Sequence, residues 1–250
     1  MALQEEFENQ GNWLFRYRGT LPLLILCVGL VVYLRSKMEP GGFFLTDPIH
    51  ELIYNYFCLL VSLFGLGIRV YTVGYTPRNT SGRNVDGQLA ETLNTKEIYS
   101  IVRHPLYLGN FFMWFGPVLL TGNFWFIFAF CFLYWVYYER IMFAEEQFLR
   151  RKFGKIYTDW AEKVPAFIPS FKNFEKSELQ FSWKKILKKE KNGFAAIFIV
   201  FTLFNILGEV VQKKTGFDYV LIAGCIISVL IYLVLKFLKN KTEVLNEEGR

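Results

Sequence analysis

Arg103-His104-Pro105-Leu106-Tyr107-Leu108-Gly109 opens an apolar hairpin, and Glu139-Arg140 with Glu145-Glu146 closes it. Between them Pro105 to Leu120 is apolar, Thr121-Gly122-Asn123 is a tight polar turn, and Phe124 to Tyr138 is apolar again. So short a turn returns both outer ends to one face, which brings His104, Tyr107, Arg140 and the two glutamates within reach of one another. Ionisable groups at membrane depth are costly, so such a cluster is a functional-site hypothesis by default. One carboxylate could bind a cation in a pocket while the other pairs with Arg140 or a lysine. Pro105 suits the first turn of a helix, and the amide N–H groups of Leu106 and Tyr107 then lack intrahelical partners and could meet a ligand's acceptor atoms.

Each group also has a plainer reading. His104 caps a helix or meets a headgroup, Arg140 snorkels to the interface, and the glutamates form a solvated helix face. Glu139 and Glu146, seven residues apart, share one face, and Glu145 points about 100° away from Glu146.

The elements that must position these residues are membrane helices. The chain has 250 residues, 53 % of them hydrophobic and 19 % aromatic, and the apolar residues come in long blocks. The blocks predict an all-α, polytopic transmembrane bundle of about six spans: Leu21 to Leu34 (extended through Trp13 to Tyr17), Ile49 to Val73, the two hairpin legs, Phe194 to Val211, and Tyr219 to Leu235. The acidic Glu5, Glu6 and Glu8 are wrong for a signal peptide's basic start. With both termini in the cytosol, the outside loops carry Arg35, Lys37, Lys213 and Lys214, 4 of the 28 basic residues; Arg69 lies within a span and the other 23 are inside. The positive-inside rule favours that N-in, C-in orientation. The net charge of +6 is juxtamembrane, a headgroup signal and no nucleic-acid footprint. Cys27, Cys58, Cys131 and Cys225 lie inside apolar spans without metal-like spacing, and with only two histidines no metal site is expected.

Three regions follow: 1–75 with the first two spans, 76–170 with the chemistry, and 171–250 with a basic interfacial connector and two further spans. The polar, turn-rich loop from Tyr75 to Ile98 leads into Arg103 and is long enough to form a lid. Gly154 is expected to cap the helix that continues from the hairpin. Gly65-Leu66-Gly67 and Gly116-Pro117 are expected to serve close packing or a kink.

Arg103-His104-Pro105-x-Tyr107-x-Gly109, Glu139-Arg140, Glu145-Glu146-x-x-Leu149, Phe153-Gly154-x-x-Tyr157, Val164-Pro165 and Ile168-Pro169 together resemble the integral-membrane methyltransferases, which include isoprenylcysteine carboxyl methyltransferase and phospholipid N-methyltransferases. The resemblance covers about residues 99–170. It implies S-adenosylmethionine (SAM) at the cytosolic helix ends, held by Arg103, His104, Pro105, Leu106, Tyr107, Gly109, Glu145 and Glu146, and a lipid-attached acceptor arriving from the bilayer. SAM's amino group and sulfonium are positive, which suits a glutamate. In this setting Arg140 could fix a carboxylate or phosphate with bidentate geometry, and His104 is the near-neutral group available to deprotonate an amine acceptor.

The stretch Pro77 to Asn84 also looks like bacterial homologues assigned to methylating the 1-phosphate of lipid A, which implies the bacterial inner membrane. With Arg78, Arg83 and Arg140 expected around the site, positive charge favours an oxyanion, most of all a glycolipid phosphate. The alternative acceptors are an isoprenylcysteine carboxylate and a phospholipid amine. The two spans after residue 193 are additional to the family motif. Two rivals differ in class. A sterol-reductase-like oxidoreductase would use Arg150, Arg151 and Lys152 for the phosphate of NADPH, and a membrane scaffold would need no cofactor. The expected partners are the lipid substrate and the bilayer; no obligate protein partner is inferred.

Overall fold

The computed structural model describes residues 2–39, 43, 45, 47–77, 80, 88, 90–213 and 216–249. They form eight α-helices, with no strand among the described residues: α1 (Leu3–Arg16), α2 (Leu21–Met38), α3 (Pro48–Gly74), α4 (Pro105–Leu120), α5 (Phe124–Phe153), α6 (Lys155–Ala161), α7 (Trp183–Val211) and α8 (Tyr219–Lys241). Helices α3, α5, α7 and α8 are long and apolar enough to cross a membrane; α4 is apolar but shorter.

The helix starts are written in the sequence. Asp47 accepts from the amides of Ile49 and His50 at 2.9 and 3.0 Å ahead of Pro48. Asn123 caps α5 through Phe126 N at 2.9 Å, and Asp218 caps α8 through Val220 and Leu221 at 3.0 Å. These side chains satisfy amide donors that helix geometry leaves without partners. At the far end of α5, Gly154 adopts φ +54°, a value that favours glycine, and the expected cap is found there.

Apolar burial gives helices in lipid no net drive to associate, so packing and interhelical hydrogen bonds must hold them. The α3–α4 seam shows both. Pro117 has no N–H for the Met113 carbonyl one turn back; Ser62 Oγ of α3 donates to that carbonyl instead, at 3.0 Å. The approach requires Gly116, whose added Cβ would lie 2.1 Å from Ser62 Oγ, and Gly65, whose Cβ would lie 2.5 Å from the Gly109 carbonyl. The two helices run antiparallel. Arg69 meets Asn110 at one end, and Tyr54 donates to the Leu119 carbonyl at the other at 2.8 Å.

Two apolar cores flank this seam. One joins α2, α3, α7 and α8 through Tyr33, Leu66, Phe201 and Leu221; the other joins α1, α4 and α5 through Phe15, Val118, Phe130 and Ile141. Outside the cores, large apolar side chains such as Leu24, Val31, Phe57, Phe64, Phe128, Phe132 and Ile227 are exposed on α2, α3, α5 and α8. A water-soluble monomer rarely shows so much, and a bilayer accounts for it.

The structure departs from expectation at two boundaries. Trp13 to Tyr17 do not extend the first span: the turn at Tyr17–Thr20 separates α1 from α2. Helix α1 instead packs on α5, where Gly11 sits so close to the Arg140 carbonyl that a Cβ would lie 2.1 Å from it. Second, the lysine-rich part of the connector is continuous with the next span, since α7 starts at Trp183 rather than Phe194. Ser182 Oγ accepts the Lys185 amide at 3.2 Å and lets the helix begin before the apolar block does.

Candidate functional site

The chain around the motif is held from outside its own helix. The amides of Arg103 and His104 donate to the Pro165 and Ala166 carbonyls at 2.9 and 3.1 Å, and that of Ser170 donates to Ile101 at 2.9 Å. Tyr107 N–H donates to the His104 carbonyl at 3.1 Å. Of the two amides expected to be open to a ligand, Leu106 and Tyr107, that of Tyr107 is therefore occupied, because the first turn closes locally, and those of Arg103 and His104 are taken by the segment after α6.

Side chains complete the cluster. Arg103 reaches Glu146 through Nε at 2.9 Å, while its Nη1 donates to the Ala161 and Val164 carbonyls at 2.6 and 2.9 Å, closing the C-terminal end of α6. His104 is buried and places Nε2 3.0 Å from the same Glu146 oxygen. Its Nδ1 stands 3.7 Å from Glu145. Tyr107 donates to Glu145 at 2.9 Å, and the His104 and Tyr107 rings stack 5.6 Å apart. Tyr157 packs beside Glu146; burial, and then that carboxylate, push its phenol above the usual range and keep it protonated.

The two glutamates thus part company. Glu145 lines a polar cavity of about 170 Å³ with Arg103, His104, Pro105, Leu106 and Tyr107, whereas Glu146 lies behind that wall, engaged by Arg103 and His104. Gly109 does not line the cavity. It backs on α3, where a Cβ would lie 2.6 Å from Arg69 Cγ. Part of the long loop does line it, through Thr80, Gln88, Ala90, Thr92, Leu93 and Asn94. The acceptor residues expected at Arg78 and Arg83 lie outside the described residues.

Arg140 is not brought to this cavity. Its guanidinium lies 3.5 Å from the centre of the Phe7 ring and pairs with Glu139 at 3.1 Å. It lines instead a second, mainly apolar groove of about 480 Å³ between α1, α2, α4 and α5. The physical reason is rotation. Arg140 stands five residues before Glu145, roughly 140° around the helix from it. Tyr134 and Tyr138 line the groove, and their rings stack 4.2 Å apart. Tyr134 donates to the Tyr107 carbonyl at 2.6 Å, and the Tyr138 ring lies 5.0 Å from that of Tyr107, a cavity residue, so these two tyrosines form the wall between groove and cavity.

Sequence reasoning gave no role to Arg69, Asn110, Glu190 and Arg18, all of which line the polar cavity. Arg69 donates to Glu190 through Nε and Nη2 at 2.9 and 2.8 Å, and to Asn110 through Nη1 at 2.7 Å. A signal was present: Arg69 is an arginine inside an apolar span, the kind of residue that marks a site by default. Glu190 had none, being one acid among lysines. Arg150, Arg151 and Lys152, which a NADPH site would need, do not line the cavity; Arg151 pairs with Glu8 of α1 at 2.9 Å.

The comparisons with known proteins fall on this same region. Residues 55–156 match the phospholipid methyltransferase family. It is 39 % identical over 90 residues to the protein-S-isoprenylcysteine O-methyltransferase of Schizosaccharomyces pombe, covering 36 % of each chain. It is 37 % identical over 78 residues to protein-S-isoprenylcysteine O-methyltransferase B of Arabidopsis thaliana, covering 31 % of this chain and 39 % of that one. It is also 30 % identical over 111 residues to the cobalt-zinc-cadmium resistance protein CzcN of Cupriavidus metallidurans, covering 44 % of this chain and 50 % of that one. The chain thus spans half or less of the length of these relatives. No solved structure matches it.

Proposed function

We propose that the protein is a SAM-dependent methyltransferase acting on an oxyanion of a lipid-anchored acceptor, with an isoprenylcysteine carboxylate as the leading acceptor class. One observation carries the reading: a cavity lined by several charged side chains, with the Glu145 carboxylate at its wall, meets a mainly apolar groove across Tyr134 and Tyr138. A cationic, water-soluble donor and a lipid-borne acceptor need that pairing of environments.

The cavity's residues fit SAM. Glu145 keeps about a third of its side chain open and is a partner for the α-amino group. Tyr99, Phe148 and Trp160 supply aromatic surface for the adenine. Bound SAM would supply an electrophilic methyl group on a sulfonium, passed to an attacking oxygen as the carbon–sulfur bond breaks. The chain's part is to align the two reactants and exclude water. An oxyanion acceptor arrives deprotonated, so no general base is required of His104, whose contacts place it as a brace between the two glutamates. Arg69 is the cavity's anion-binding group: it brings a guanidinium fork to the cavity, whereas Arg140 at the groove is positioned to meet an acceptor's headgroup.

The two isoprenylcysteine enzymes among the relatives favour a carboxylate over the glycolipid phosphate suggested by Pro77 to Asn84. The 23-to-4 split of basic residues supports a cytosolic site. The test is transfer of labelled methyl from SAM by purified protein to a prenylcysteine analogue, lipid A and phosphatidylethanolamine in parallel. Transfer to the prenylcysteine is expected. Transfer to lipid A alone would move the acceptor to a phosphate, and transfer to the amine alone would refute the oxyanion.

A further inference from the structure

We propose that Glu190, on a helix outside the family-matched segment, is a positioning residue of the active site: it holds Arg69 in the orientation that presents the acceptor oxygen to the methyl donor. The inference rests on the methyl-transfer reading above and gives the C-terminal helix pair a part in it.

Helix α7 follows residue 156, where the family match ends, and the motif does not account for it. Yet α7 lends two buried side chains to the cavity's surroundings. Lys185 reaches back to the carbonyls of Thr76 and Pro77, the latter at 3.0 Å, and so ties down the start of the loop that lines the cavity. Five residues further along α7, Glu190 is 4 % exposed and gives both carboxylate oxygens to Arg69.

That contact has consequences for the guanidinium. Glu190 engages Nε and Nη2, the side-on fork, and Asn110 takes a hydrogen of Nη1 at 2.7 Å. A guanidinium has five donors in a rigid plane. Pinned along one edge and at one corner, the plane cannot rotate, and two of its five donors remain for an anion. Arginine on a flexible stem would otherwise sample many rotamers, and a displacement of about 1 Å at a reacting centre can cost roughly a hundredfold in rate. Glu190 also neutralises Arg69. Its charge therefore opposes tight binding of an anionic acceptor even as it fixes the geometry for transfer, so its removal should slow turnover without weakening acceptor binding. Loss of packing alone would not produce that split.

The experiment measures SAM affinity by titration calorimetry, and kcat and acceptor KM by methyl transfer to whichever acceptor the wild type uses, on the full chain in detergent. E190Q is expected to lower kcat at least about tenfold, with SAM affinity within about threefold of wild type and acceptor KM unchanged or lower. E190D, which keeps the charge but draws the carboxylate back by one methylene, should recover part of the loss. In the Arg69→Lys background, which cannot form the fork, E190Q should add little. A folded E190Q with wild-type kcat overturns the proposal, as does a rate loss that follows loss of SAM affinity, which would make Glu190 a cofactor ligand. If E190Q does not fold, E190D decides: turnover equal to wild type overturns the proposal. A wild type that binds no SAM overturns the methyl-transfer reading and this proposal with it, whereas active wild type with an indifferent E190Q overturns Glu190 alone.

Discussion

Glu145 and Glu146 are adjacent in sequence, yet the structure sets one at the cavity wall and the other behind it, and substituting each separately should show the difference. Glu145 lines the cavity with one third of its side chain open, and its protein contacts are Tyr107 at 2.9 Å and His104 at 3.7 Å. Glu145→Gln keeps the shape and removes the charge. A charge-assisted hydrogen bond to the α-amino group of SAM is worth about 1.5–3 kcal/mol, so SAM affinity should fall roughly tenfold to 150-fold, with little change in thermal stability. Glu146 accepts from Arg103 at 2.9 Å and His104 at 3.0 Å, at about one-fifth exposure. Glu146→Gln leaves Arg103 without its counter-charge where that residue also closes the end of α6. A cost of about 2–3 kcal/mol is expected for a partly buried pair, a fall of about 4–12 °C in Tm for a chain of this size. Calorimetric titration of SAM into the detergent-solubilised protein, with thermal unfolding followed by tryptophan fluorescence, measures both. The reasoning is refuted if Glu146→Gln loses SAM affinity at unchanged Tm while Glu145→Gln keeps it.

Three further outcomes are expected. Arg69→Lys preserves the charge but not the fork and should cut methyl transfer about tenfold to a hundredfold with SAM binding kept, whereas Arg140→Ala, which removes a stacking contact with Phe7, should cost about two- to fivefold in turnover; equal losses would return the anion-binding role to Arg140. Gly116→Ala drives a methyl group into Ser62 Oγ and the Cys58 carbonyl and should destabilise the α3–α4 seam by about 1–3 kcal/mol, read as a lowered Tm; an unchanged Tm would mean that the seam yields freely. In a cysteine-free background, a cysteine at Asn123 should react with an impermeant reagent from outside the cell and one at Lys172 only after the membrane is opened. The reverse pattern would invert the topology.

Much of the architecture was legible because lipid narrows the choices. A chain in hydrocarbon must satisfy its backbone internally, so each long apolar block becomes a helix. Asp47-Pro48, Asn123 and Asp218 mark where α3, α5 and α8 begin. Legible too was the meeting of His104, Tyr107, Glu145 and Glu146, since a hairpin with a three-residue turn brings its outer ends together whatever else it packs against. The independence of α1 was harder to read. Trp13 and, in the turn that follows it, Tyr17 resemble the interfacial edge of a span, and what sets the helix apart is its docking on α5 through Gly11.

Composition and spacing determined that this is an α-helical membrane protein and that one face of it gathers ionisable side chains around a proline-started helix. The rotation of α5 was left to tertiary contacts, chiefly Tyr134 and Tyr138 against α4 and Gly11 against the Arg140 carbonyl. Residues 100° apart on a helix exchange inside for outside with a modest turn of the axis, so spacing could not say which glutamate meets the cavity or that Arg140 faces away from it. Nor could it join Arg69 to Glu190 across 121 residues of chain. A charge buried in the bilayer needs a partner, and only the packing of α7 against α3 decides which residue that partner is.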